Sequence, residues 1–172
     1  CPHHAKRAVT DHLADWERFR YKIALPAPAL YGQFNNLDDV EVVLAGLLEM
    51  GFDEVYEVAA AAELVSDATR ILLSRGLLER PVISSACPAV LRLIRVRFPQ
   101  LFGNVLPLVA PVELAARQIK RHVARQSGMD PSEIGCIFIS PCPAKLTAAK
   151  TPLGPGRSDI DLVVSVSELY PA

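Results

Sequence analysis

The sequence lacks most of what marks a chain for a bilayer, a nucleic acid or export. None of its apolar runs approaches the ~20 residues that span a membrane; each is about strand length and is broken by proline, glycine or charge. Neither sign of charge dominates. The 172 residues carry 18 basic and 19 acidic side chains, a net charge of −1. That leaves no footprint for a polyanion or an anionic lipid surface, so no nucleic-acid and no membrane partner is expected. The N-terminus, Cys1-Pro2-His3-His4-Ala5-Lys6-Arg7, is polar and has no signal-peptide pattern. No repeat of fixed period runs through the chain. Cysteine is scarce, at positions 1, 87, 136 and 142. Four unevenly placed thiols in a chain this long do not make a disulfide framework. They read as metal-binding or buried groups in a reducing, cytoplasmic setting.

What is present suits one well-filled domain. Hydrophobic residues make up 51%, and a chain of this length buries roughly 70% of its unfolded surface. Residues 22–25 form a short apolar run ended by Pro26-Ala27-Pro28, a strand and a turn. Asn36 is placed to cap a helix with Asp38 and Asp39 in its first turn. Leu37, Val40, Leu44, Leu47 and Leu48 recur at helical spacing, and Gly51 stops that helix. Residues 54–58 are β-rich. An Ala-rich helix follows over 60–75, with Leu64, Ile71 and Leu72 turned inward and Gly76 at its end. Residues 81–84 read as a strand and 88–97 as a helix opened by Pro88. Residues 105–109 are another apolar run. Pro111 opens a helix to Ser127, with Leu114, Ala115, Ile119, His122 and Val123 near one face and Gly128 as stop. Asp130 and Glu133 offer a cap, residues 134–139 a buried strand, 144–150 a short helix, 160–164 a last strand, and Ser167-Glu168-Leu169 the start of one more helix. Strands alternating with helices predict an α/β fold with a mostly parallel β-sheet flanked by helices.

Two cysteines stand apart. Cys87 and Cys142 each end a β-like run and lie in a Pro-flanked turn before a helix: Ser84-Ser85-Ala86-Cys87-Pro88-Ala89 and Ser140-Pro141-Cys142-Pro143-Ala144-Lys145. A thiol there feels the positive end of the helix dipole, which favours the thiolate, the metal-ligating form. Ligands in parallel sheets sit outside the carboxyl ends of the strands. Ala27-Pro28, Cys87, Ala110 and Cys142 all follow an expected strand, so they are expected to line one rim.

Together these segments resemble the large, H-cluster-binding domain of iron-only (FeFe) hydrogenases. Ser84-Ser85-Ala86-Cys87-Pro88-Ala89-Val90 occupies the family's Thr-Ser-Cys-Cys-Pro-x-Trp motif. Ser140-Pro141-Cys142-Pro143-Ala144-Lys145-Leu146-Thr147-Ala148 occupies its Met-Pro-Cys-x-x-Lys-x-x-Glu motif. Leu48-Glu49-Met50-Gly51-Phe52-Asp53-Glu54-Val55 and Ser158-Asp159-Ile160-Asp161-Leu162-Val163 are similar to two further stretches. The resemblance implies one lobe of that domain, over 22–172. It implies that Cys87 and Cys142 are two of four ligands of a 4Fe–4S cluster joined to a di-iron subcluster, together the H-cluster. Lys145 would hydrogen-bond a cyanide of that subcluster, and Ala27 and Pro28 would wall it.

Three departures temper the activity implied. The family's proton-passing Cys is Ala86 here, its later Glu is Ala148, and the Ser expected before Pro111 is Ala110. The family motif carrying two more Cys ligands is absent from the sequence. The resemblance therefore implies hydrogen sensing more than fast turnover, with no cluster retained by this chain alone. It implies as partners the rest of one polypeptide and an electron carrier such as ferredoxin. Cys1-Pro2 is similar to the end of a bacterial ferredoxin cysteine run, so residues 1–21 are expected to be a linker behind such a module. The rival readings are a relative that only carries or assembles iron–sulfur clusters, and an interaction module with inert thiols. Outside the motifs, Cys136 is expected in the core, His122 to be structural, Glu63 and Glu113 to be solvated or capping, and Arg92, Arg95 and Arg97 to form an exposed helix face. His3 and His4 belong to a polar terminus.

Overall fold

A computed structural model of the chain describes residues 8–34, 39–154 and 156–169. Among the described residues four strands form one all-parallel sheet in the order β2-β1-β3-β4: β1 Tyr21–Pro26, β2 Glu54–Val55, β3 Ile134–Ile139 and β4 Leu162–Val164. β1 and β3 run side by side from Tyr21↔Ile134 to Pro26↔Ile139. Every residue of β3 is buried. A strand covered on both faces reads as a continuous apolar run, which is what Ile134–Ile139 is.

Among the described residues there are five α-helices, α1 Val40–Glu49, α2 Val58–Ser74, α3 Pro88–Arg97, α4 Pro111–Ser127 and α5 Ala144–Lys150; α1, α2 and α4 cover the sheet, and α3 lies against α5. The pleat sorts the core into two layers. Ile23, Leu25, Cys136, Phe138 and Val163 pack with Val58 and Ala61 of α2 and Ala115, Ile119 and Val123 of α4. Ala24, Ile137, Ile139, Leu162 and Val164 pack with Val43 and Leu47 of α1 and with Phe19, Leu30 and Phe52. Gly135 lies where Phe19 crosses β3, and a Cβ there would overlap the ring. Asp11 bridges to Val164 beyond β4, and Trp16 stacks edge-on against Phe52 at 4.8 Å. Asp11, Trp16 and Phe19 therefore hold this segment to the body of the domain.

The element boundaries follow local chemistry. Pro at the first position opens α3 and α4. Gly128 at φ 71 closes α4 in the left-handed conformation that a side chain disfavours. Asp130 and Glu133 make a capping box ahead of β3.

Several expectations are corrected. Asp39 caps α1, accepting from Glu41 N at 2.9 Å; Asn36, Leu37 and Asp38 lie outside the described residues. The buried face of α1 is Val43 and Leu47, with Leu48 turned out. Leu64 and Ile71 of α2 are half exposed, because its small residues, such as Ala61, make the close approach to the neighbouring layer. Residues 81–84 and 105–109 form no strands. They share a single bridge, Ile83↔Val105, since Pro81 and Pro107 lack the N–H a ladder needs. β4 begins at Leu162 rather than 160, and the helix expected at 167 is a 3-10 turn, Val166–Glu168. His122 is exposed.

Candidate functional site

The candidate site is built by loops at the carboxyl edge of the sheet. Ala27 N donates to Ile139 O at 3.0 Å and Ser140 N to Val164 O at 2.9 Å, so the ends of β1, β3 and β4 are held level. Ser140, 3% exposed, then shapes the next turn, its Oγ accepting from Cys142 N at 3.2 Å. Cys142 is half-buried and lies two residues before α5. Cys87 is exposed and is the N-cap residue of α3. Its turn is fixed from behind: Ser85 Oγ donates to Leu108 O at 2.6 Å, and Ser84 Oγ accepts from Ala86 N at 3.3 Å.

Lys145 joins the two turns. From the first turn of α5 its Nζ reaches across and donates to Ala86 O at 2.7 Å. Burial holds this ammonium below the usual lysine range, while the charges of Cys142, Cys87 and Glu113 pull it part of the way back. One cation thus ties the α5 end of the rim to the residue before Cys87. Cys136 is different in kind. It is fully buried in β3, its Sγ faces Ala116 O at 3.7 Å, and burial pushes its thiol up to about 12. It is core packing, as expected.

Behind the turns lies a largely apolar cavity of about 510 Å³, whose wall includes Ala86, Arg92, Ala110, Glu113, Lys145 and Ala148. Three methyl groups thus face the space. Ala27, Pro28 and the two cysteines are outside that wall: Ala27 is buried at the end of β1, and Pro28 is exposed. Among the described residues no group of three or more His, Cys, Asp or Glu side chains could hold a metal ion. The thiols in these two turns are Cys87 and Cys142; a cubane takes four ligands. Cys1, His3 and His4 lie outside the described residues.

Glu113, expected to be solvated or capping, and Arg92, expected on an exposed helix face, prove to be structural. Glu113 accepts from Ser158 Oγ at 2.6 Å and from Asp159 N at 3.2 Å. With Arg117 on Asp159 (2.9 Å) and Lys120 on Asp161 (2.6 Å), it forms a polar stripe on α4 that seats residues 158–161. The 113, 117, 120 spacing is one helix face, so the stripe is visible in the sequence; its target is not. Arg92 is half-buried, and its Nη2 donates to Thr147 O, Thr151 O and Thr151 Oγ1 at 3.2, 2.6 and 2.8 Å. Arg95 and Arg97 are exposed as expected.

Residues 20–171 match the family model described as "Iron only hydrogenase large subunit, C-terminal domain". Iron hydrogenase 1 of Clostridium pasteurianum is 24% identical over 147 residues, covering 81% of this chain and 25% of that protein. The cytosolic Fe-S cluster assembly factor NAR1 of Coccidioides immitis is 29% identical over 121 residues, covering 70% of this chain and 19% of that protein. A solved structure of a variant FeFe-hydrogenase HydA1 from Chlamydomonas reinhardtii superposes with a TM-score of 0.71 at 23% identity, covering 87% of this chain and 41% of that one. The chain thus spans a quarter or less of the length of these two curated relatives. No described helix is long and apolar enough to cross a membrane.

Proposed function

This chain belongs to the iron-only hydrogenase large subunit family, through its C-terminal domain, and from that premise we propose that it supplies Cys87 and Cys142 as two thiolate ligands of a 4Fe–4S cluster in an H-cluster, serving hydrogen sensing rather than rapid hydrogen turnover. One observation carries the reading: Lys145, three residues after Cys142, donates to Ala86 O beside Cys87 at 2.7 Å, so one ammonium joins the two cysteine turns. A cation joining two cysteine turns suits an anionic sulfur-bridged cluster. The remaining ligands, the upstream clusters and an electron carrier such as ferredoxin belong to the rest of the polypeptide and its cytoplasmic surroundings.

When bound, such a cluster supplies the redox chemistry of 2H⁺ + 2e⁻ ⇌ H₂. The chain's own residues set what reaches it. Lys145 presents a desolvated ammonium, a compact donor for a small anionic ligand, and it already holds the Cys87 turn through Ala86 O. Ala86, Ala110 and Ala148 put methyl groups where proton transfer needs titratable ones. A missing general acid or base typically costs ~10²–10⁴-fold, and here several are missing along one wall. Glu113, the carboxylate in that wall, is committed to Ser158 and Asp159 N.

The likeness to NAR1 favours a second reading, an iron–sulfur assembly relative with no hydrogen chemistry. It is the more similar of the two curated relatives in identity, 29% against 24%. The two readings separate on Ala86→Cys in the intact, maturated protein, followed by H₂/D₂O exchange. The hydrogenase-like reading expects slow exchange that rises about 10²-fold when the thiol is restored. Exchange absent in both forms supports the assembly reading.

A further inference from the structure

The two cysteine turns do not belong to the sheet ladder. Cys87 leads into α3 and Cys142 into α5, so the distance between their sulfurs is set by how these two short helices sit on each other. A contact at one end alone leaves them free to splay about it. Lys145 Nζ to Ala86 O, at 2.7 Å, ties the ends that carry the cysteines. The far end of α5 is tied to the middle of α3 by Arg92, whose Nη2 donates to Thr147 O, Thr151 O and Thr151 Oγ1. These are the last-turn and C-cap groups of α5. Thr147 O already accepts from Thr151 N at 3.0 Å and from Thr151 Oγ1 at 2.8 Å; Arg92 adds a cation to this C-terminal end, where it suits the helix dipole.

Arg92 pays for this placement: its Nε is buried with no hydrogen-bond partner. Buried donors are nearly always paired, and one that is not calls for an explanation. An arginine kept for its own solvation would turn outward like Arg95 and Arg97, which are exposed on the same helix. The grip of Nη2 on α5 is what holds the side chain against the cavity.

We propose that Arg92 is a positioning residue for the thiolate pair: by clamping the end of α5 onto α3 it fixes the separation of Cys87 and Cys142 before any metal arrives. The inference rests on the reading of those cysteines as a ligand pair. Preorganised donors bind more tightly because the ordering cost has been met in the free protein, and supporting groups of this kind are typically worth about 10–100-fold in metal affinity. The effect belongs to the empty protein and is measurable without the cluster.

The test is an anaerobic titration of the reduced chain with Cd²⁺, read by thiolate-to-metal charge-transfer absorption. The forms compared are the unaltered chain, Arg92→Ala, Arg92→Lys, Cys87→Ser and Val123→Ala. Val123 is buried in the C-terminal half of α4, 4% exposed, and its truncation loosens the core without touching either clamp. The unaltered chain is expected to bind one ion through two thiolates, and Cys87→Ser to lose that signal. Arg92→Ala is expected to weaken binding about tenfold at unchanged stoichiometry. Arg92→Lys keeps a cation near the α5 carbonyls and is expected to lose clearly less; it carries the test if Arg92→Ala does not fold. Val123→Ala should lower thermal stability and leave Cd²⁺ affinity unchanged. Unaltered affinity in both Arg92 variants, or an equal loss in Val123→Ala, overturns the positioning role while the ligand pair stands. Failure of the unaltered chain to give a two-thiolate signal overturns the pair itself.

Discussion

Cys142→Ser in the intact protein, reconstituted anaerobically with iron and sulfide, is expected to lose most of the iron that the unaltered protein retains through desalting. A serine hydroxyl stays protonated at neutral pH and is a hard donor, whereas cluster iron takes the soft thiolate. Loss of an outer supporting group alone costs about 10–100-fold in affinity, and a direct ligand sits at or above the top of that range. Cys87→Ser should fail in the same way, because the two turns meet at Lys145. Cys136→Ser is the control. It removes a thiol that is fully buried in β3 behind the turns, so it should cost stability while leaving the iron content per folded chain alone. Full iron in both Cys142→Ser and Cys87→Ser would remove the ligand assignment.

Asp161→Ala is expected to be among the most destabilising single changes, by about 3 kcal/mol in urea unfolding. The Asp161 carboxylate takes Lys120 Nζ at 2.6 Å and Cys136 N at 2.8 Å, and the two side chains of the ion pair are only 12% and 22% exposed. Alanine removes one charge, strands the other and leaves a β3 amide in need of a partner. Asp161→Asn can still accept from Cys136 N and is expected to lose about half as much. Adding Lys120→Met to Asp161→Ala should recover part of the loss, since the stranded ammonium is then gone. A loss below about 0.5 kcal/mol, the size of a typical exposed pair, would contradict this account of how residues 158–161 are seated.

Asp161 also shows where sequence reading stops. Its segment is legible as a family stretch, but a partner 41 residues away on α4 is not. The elements whose signals are local are legible almost to the residue. Pro111 and Gly128 bracket α4, the unbroken apolar run is β3, and Pro88 starts α3. The errors arise where the deciding partner is distant. Residues 81–84 and 105–109 have strand-like composition, yet Pro81 and Pro107 allow only one bridge between them. Leu64 and Ile71 sit at helical spacing, but the core takes the small residues of α2. Arg92 looks like its neighbours Arg95 and Arg97 until α5 is folded beside it. The cysteine turns were visible as motifs, and so were the three alanines; the cavity that Ala86, Ala110 and Ala148 share needed the folded chain.

The central claim is that Cys87 and Cys142, separated by the whole of α3, α4 and β3 in sequence, meet at one rim. A short bifunctional thiol reagent such as dibromobimane tests it on the folded, reduced chain, followed by proteolysis and mass spectrometry. The account predicts one dominant cross-linked peptide pair joining Cys87 to Cys142, with Cys136 unmodified until the chain is unfolded. Single adducts on Cys87 and Cys142, with no cross-link in a natively folded chain, would contradict it.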